Sequence, residues 1–197
     1  MADSRADSRI FLVEPARRGI LPLESLHISR RLARTVRSDR FSIRINTAFT
    51  EVIQRCAAPA PGRRETWINT TIERLCGELH ARGLAHSVEA WREERLVGGL
   101  YGIALGGAFF GESMFSSERD ASKVALVHLA ARLRAGGFRL LDAQFMTDHL
   151  ASFGAVEISQ AAYRARLSEA LNCDADFRRA PDQTPGAWAM QSSSQAS

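Results

Sequence analysis

Lysine is nearly absent from this chain. Lys123 stands alone among 26 basic residues, so the positive charge is almost entirely guanidinium. Arginine makes planar, two-pronged contacts with phosphate that an ammonium cannot make; a compositional bias of the source genome gives the same skew. No run of about eighteen uncharged apolar residues occurs, the length that a membrane-crossing helix needs. The opening Met1-Ala2-Asp3-Ser4-Arg5 is polar and lacks the apolar stretch of a secretory signal. Cysteine is scarce. Cys56, Cys76 and Cys173 are odd in number and lack metal-ligand spacing, so they read as reduced, buried thiols of a cytoplasmic protein. The histidines His27, His80, His86, His128 and His149 show no metal-ligand spacing either. No Ser/His/Asp or Cys/His set and no glycine-rich phosphate loop is visible, so neither a metal nor a nucleotide cofactor is expected.

What is present bounds the architecture. A chain of 197 residues with 45% hydrophobic content supports one ordinary domain, or one with a small appendage. Residues 1–9 are polar and read as loose, and Pro15, Gly19 and Pro22 predict an extended or turning segment over residues 10–29. Residues 29–39 predict a short helix carrying Arg30, Arg34 and Arg37 on one side. Residues 41–45 alternate apolar and polar, as a strand does. Asn46 or Thr47 caps a helix with Phe49, Val52, Ile53 and Cys56 on its apolar face. A loop over residues 59–62 follows. Thr66 then opens a helix with Ile68, Ile72, Leu75 and Leu79 on one face and Gly83 past its end.

From residue 87 the pattern changes to sheet. Residues 87–91 and 96–104 form a hairpin; Gly98, Gly99 and Gly102 inside its second strand imply a bulge or the close backbone approach of a ligand. A short strand over 108–111 precedes a loop-like run, residues 112–116. A long helix follows, with Leu126, Leu129, Ala130 and Leu133 as its buried stripe. Residues 138–145 are a further strand, 147–152 a helical turn and 160–171 a last helix; beyond Asn172 the chain reads as largely disordered. The sum is an α+β layer structure divided into an N-terminal segment, 1–40, a main domain, 41–171, and a tail, 172–197.

Several residues carry chemistry. Asp142 and Gln144 share one face of their strand because side chains alternate with period two. A carboxylate and an amide among apolar neighbours need each other or a ligand. They are either a satisfied pair at a strand end or a positioned pair that orients an amine. Glu112 either holds a cation or moves a proton, or is a surface charge. Met114 and Phe115 beside it either line an apolar pocket or fill the core. Trp67 either stacks on a base or packs. Arg30, Arg31, Arg34, Arg37 and Arg40 form either a solvated face or a phosphate-binding strip. The strip makes affinity fall with salt, with a log–log slope of about −0.7 to −0.9 per phosphate.

Together these stretches resemble the leucyl/phenylalanyl-tRNA–protein transferase family, from about Glu24 to Leu167. The resemblance rests on Glu24-Ser25-Leu26-His27-Ile28-Ser29-Arg30, Thr66-Trp67-Ile68, and His86-Ser87-Val88-Glu89 with Trp91. It continues through residues 96–102, residues 111–116, Ala121-Ser122-Lys123, Asp142 with Gln144, residues 149–152, and Gly154-Ala155. It implies a GNAT-like fold, a mixed, largely antiparallel sheet flanked by helices. It also implies transfer of leucine, phenylalanine or methionine from aminoacyl-tRNA to a protein beginning with arginine or lysine, which marks that protein for degradation.

By the same resemblance Asp142, Gln144 and Glu112 are catalytic, and Trp67 contacts the terminal adenosine. Leu100, Phe109, Met114, Leu129, Leu133 and Leu141 surround the amino-acid pocket, although alternation turns Leu141 away from Asp142. The early arginines meet the tRNA. The chain departs from the family in lacking most of the N-terminal domain, including a segment close to Gly-Ile-Phe-Pro-Trp, and with it a second aromatic wall. An acyl-CoA-dependent N-acyltransferase and a catalytically inactive tRNA-binding homologue are the alternatives. Against the first stands Ser117-Glu118-Arg119-Asp120-Ala121, which lacks the glycine of a pyrophosphate loop.

Overall fold

A computed structural model describes residues 2, 5, 7, 9–11, 13–59 and 66–194, with side chains through Gln191. Among the described residues seven strands form a single mixed sheet: β1 (Arg17–Ile20), β2 (Ser42–Ile45), β3 (Ala85–Arg92), β4 (Arg95–Leu105), β5 (Ala108–Ser116), β6 (Leu140–Gln144) and β7 (Val156–Ser159). Their order is β2-β3-β4-β5-β6-β1-β7. Every pairing is antiparallel except that between β5 and β6. The helices are α1 (Arg30–Arg37), α2 (Phe49–Ala57), α3 (Thr70–Ala81), α4 (Ala121–Ala135), α5 (Asp148–Ala151), α6 (Gln160–Leu171) and α7 (Gly186–Ser194). The fold is therefore α+β, as expected.

Two apolar layers sandwich the sheet. Val88, Leu100, Phe109 and Leu141 pack with residues of α1, α4 and α7. Ala85 and Tyr101 pack with α2 and α3. Ala108 and Leu140 pack with Tyr163 and Ala170 of α6. Helix α4 is buried on almost every side, and Leu129 and Leu133 are at most 1% exposed. Each such leucine contributes about 1.5–3 kcal/mol by leaving water.

Local chemistry sets the helix ends. Ser29, Asn69, Thr147 and Ser159 each accept a backbone N–H of the first turn of α1, α3, α5 and α6. Helix α2 differs from expectation. Neither Asn46 nor Thr47 caps it; the buried Glu89 of β3 accepts Ala48 N–H at 2.8 Å and also bonds Thr47, Ser87 and Trp91. Helix α3 starts at Thr70 rather than Thr66, which leaves Trp67 in the segment leading to it.

The structure corrects four further readings. Residues 112–116 are not a loop but the second half of β5. The β4 glycines do mark a bulge, where the register with β3 skips Val97 beside Gly98, but the close approach at Gly98 is made by α4 and not by a ligand: a Cβ there would lie 2.5 Å from that of Ala121. The N-terminal segment is not separate from the sheet, because β1 lies between β6 and β7. Residues 173–194 are not loose: Phe177, Ala180, Ala189 and Met190 are buried, and α7 packs on α1 and α4. Of the first nine residues, Ala2 donates to the Trp67 carbonyl, and the carbonyl of Asp7 accepts from the Asn69 amide. The loop expected over residues 59–62 lies, apart from Pro59, outside the described residues, as do residues 195–197.

Candidate active site

The site exists because two neighbouring strands part. The parallel ladder between β5 and β6 holds three pairs, Ala108–Leu140, Phe109–Leu141 and Phe110–Asp142, and then ends. Beyond it β5 continues to Ser116. A cavity of about 740 Å³ opens in the gap. It touches both faces of the sheet: Leu126, Leu129 and Leu141 come from the α4 side, and Tyr101 from the α2 and α3 side. This resolves the position of Leu141. It faces away from Asp142, as alternation requires, yet both line the cavity.

Glu112, Asp142 and Gln144 all line this cavity. Asp142 is fully buried and its oxygens are occupied. The Arg18 guanidinium grips it two-pronged, Nε to Oδ1 at 3.0 Å and Nη2 to Oδ2 at 2.7 Å. Tyr163 donates its hydroxyl to Oδ2 at 2.7 Å, and Gln144 donates its backbone N–H to Oδ1 at 2.8 Å. Burial and the Asp142 carboxylate together hold the Tyr163 phenol above its ordinary pKa, so it keeps the proton that it donates. Asp142 is thus a buried anchor, not an open base.

Gln144 departs from strand geometry. Its φ of 63° lies in the left-handed region, and its side chain donates to the Gly111 carbonyl at 3.4 Å. Glu112 is half-buried. Burial raises its pKa, Gln144 lowers it and the negative charge of Asp142 raises it; the net shift is upward. Of the two carboxylates at the cavity, Glu112 is the one without a guanidinium in an ion pair among the described residues.

The apolar wall contains Leu100, Met114, Leu129 and Leu141, with the half-buried Trp67 at one side. Phe109 and Leu133 do not line it. Both lie in the core beneath, where Phe109 stacks on Phe177 at 5.6 Å between ring centres. Sequence reasoning missed Arg18, Tyr163, Tyr101, Leu126 and Leu150. Arg18 and Tyr163 carry no local signal, since their tie to Asp142 spans 124 and 21 residues of chain.

The arginine strip is exposed along α1. Arg30, Arg34 and Arg37 face solvent, Arg31 pairs with Asp120 at 3.3 Å, and Arg40 pairs with Glu118 at 3.2 Å. Among the described residues, no three His, Cys, Asp or Glu side chains gather where they could hold a metal ion. No helix among them is long and apolar enough to cross a membrane.

Comparison with known proteins converges on one family. Residues 20–168 match the family model described as leucyl/phenylalanyl-tRNA protein transferase. The chain is 61% identical over 197 residues to the leucyl/phenylalanyl-tRNA–protein transferase of Caulobacter vibrioides, which covers all of this chain and 91% of that protein. It is 67% identical over 177 residues to the one from Phenylobacterium zucineum, covering 90% of this chain and 80% of the relative. The one from Maricaulis maris is 59% identical, with coverage of 100% and 91%.

Proposed function

The chain belongs to the leucyl/phenylalanyl-tRNA–protein transferase family, and from that premise we propose that it moves leucine, phenylalanine or methionine from aminoacyl-tRNA to proteins that begin with arginine or lysine. It is an aminoacyltransferase acting on protein amino termini. The added residue marks the acceptor for degradation. The observation that carries the reading is the single cavity shared by an apolar wall, the Trp67 indole, the Glu112 carboxylate and the Gln144 amide. The mixed, largely antiparallel sheet supports the GNAT-like fold, and the thiols of Cys76 and Cys173 support a cytoplasmic setting.

The chemistry suits so few groups. An aminoacyl ester is already activated. The attacking α-amine has a reference pKa of about 7.7–8.0, so part of it is neutral near pH 7. Its nitrogen bonds to the ester carbonyl carbon, the bond from that carbon to the ribose oxygen breaks, and the nitrogen loses a proton while the ribose oxygen gains one. The neighbouring ribose hydroxyl relays that proton. Holding both reactants in place accounts for about 7–11 kcal/mol of barrier lowering in well-oriented reactions.

Each protein group has a distinct task. Asp142, buried and saturated, fixes the Gln144 backbone; Gln144 then presents its amide to the amine. Glu112 meets the cationic acceptor terminus, and a cation beside it relieves the cost of burying its charge. The side chains of Leu100, Met114 and Leu129 sort donors by shape. Trp67 stacks on the terminal adenine, and the α1 arginines hold the tRNA.

A transfer assay with labelled leucyl-tRNA tests this, using peptides that begin with arginine or with alanine. Label entering only the Arg-initiated peptide is the expected result. Transfer from acetyl-CoA instead makes the protein an acyl-CoA-dependent enzyme. tRNA binding without transfer makes it an inactive homologue.

A further inference from the structure

A second groove joins the cavity, and its lining suits phosphate. It has a volume of about 480 Å³ and meets the cavity at His149, which lines both. The Nε2 of His149 is buried without a hydrogen-bond partner among the described residues. Arg31, Arg119 and Lys123 line the groove beyond it. Its floor is rigid: Ser116 Oγ accepts the Ser122 backbone N–H at 3.2 Å and donates to the Glu118 carbonyl at 2.7 Å.

The charges around this groove are unbalanced. Glu118 gathers Arg40, Arg92 and Arg95 at 3.2, 2.9 and 3.6 Å. Asp120 gathers Arg31 and Arg119 at 3.3 and 3.9 Å. With Lys123, six cations thus stand against two carboxylates. The carboxylates order the guanidinium groups without neutralising them, which leaves donors that can still meet an anion. Arg31 of α1 lines the groove, so the groove borders the arginine face of that helix at one end and the cavity at the other.

We infer that this groove is a phosphodiester subsite that holds the single-stranded nucleotides preceding the terminal adenosine of the donor RNA. The inference rests on the aminoacyl-tRNA reading above and extends the RNA surface to Arg92, Arg95 and Arg119 on the β3–β4 turn and the β5–α4 connection. Phosphates in the groove run from the cavity mouth toward α1, and His149 marks the junction.

Two donors separate this inference from the parent reading. Aminoacyl-adenosine carries no preceding phosphate; an aminoacylated 3′-terminal trinucleotide carries two phosphodiesters. Lys123→Ala and Arg119→Ala, alone and together, are assayed with both. The double variant is expected to raise the KM for the trinucleotide donor about tenfold and to leave that for aminoacyl-adenosine unchanged. The salt slope for the trinucleotide should fall by about 0.7 for each phosphate that the variant no longer neutralises. Equal KM values with the trinucleotide, or parallel losses with both donors, would overturn the subsite while leaving the transferase reading in place. Failure of the unaltered protein to use either donor would remove the parent reading instead. Lys123→Arg should restore the trinucleotide KM, which a merely structural defect would not allow.

Discussion

Arg18 and Asp142 form a two-pronged ion pair across the sheet, with the carboxylate fully buried and the guanidinium side chain 16% exposed. The pair joins β1 to β6 beside the cavity. Breaking one partner of such a pair costs about 3–5 kcal/mol, because the other charge stays buried alone. Asp142→Asn should therefore lower the melting temperature sharply and reduce transfer. Adding Arg18→Met to Asp142→Asn should recover much of the stability and little of the activity. Recovery of both would show that Asp142 serves only folding; thermal melts and transfer rates on the same preparations decide.

Glu112 should respond to pH in the opposite sense to a salt-bridged acid. Burial holds its folded pKa above the ordinary value of 4.5. The unfolded chain therefore releases this proton first, and the contribution of Glu112 to stability falls as pH rises above about 4.5. Glu112→Gln should melt higher than the unaltered protein at pH 7 and at the same temperature near pH 4. Its transfer rate with an Arg-initiated peptide should fall at least tenfold. A variant that is less stable at pH 7 would contradict the environment assigned to Glu112.

Gln144 is held at a φ of 63°, where a residue with a side chain is strained. The left-handed conformation costs about 1–2 kcal/mol for most residues and nothing for glycine. Gln144→Gly should thus fold with equal or greater stability and yet lose transfer, because the amide is gone. Chemical denaturation and single-turnover transfer measure the two effects separately. Near-normal transfer in that variant would remove Gln144 from the reaction.

Met114 is half-buried on the cavity wall, so shortening it should change selectivity more than folding. Each methylene of shape mismatch is worth about 1–3 kcal/mol. Met114→Ala should move the ratio of kcat/KM for phenylalanyl over leucyl donors about tenfold or more toward phenylalanine. Competition between the two charged tRNAs provides the measurement; an unchanged ratio would place Met114 outside the specificity pocket.

Local patterns make much of this molecule legible. The apolar stripe of α2 and the period-two run at Ser42–Ile45 are properties of neighbouring residues, and the chain shows them openly. The alternation that puts Asp142 and Leu141 on opposite faces is equally sound. It misleads only because the cavity reaches both faces where β5 and β6 separate. Long-range pairings leave no such trace. Arg17-Arg18-Gly19-Ile20 does not alternate, yet it pairs on both edges as β1 and brings Arg18 to Asp142. The second half of β5 reads as a loop because its side chains line a cavity rather than a plain core. Phe109 and Leu133 look like wall residues because buried and cavity-facing apolar side chains share one periodicity. Helix α7 is short and weakly amphipathic, so its docking cannot be read from its own residues.

That docking has a reach beyond folding. The Gly186 N–H bonds Asp39 Oδ1 at 2.6 Å, its Cα lies so close to the Val36 carbonyl that no side chain fits, and Met190 is buried behind the same helix. The last helix is therefore a clamp on the back of α1, whose outer side carries the arginines. A cut before residue 186 frees that support, so a change in α7 is felt by the arginine-bearing side of α1.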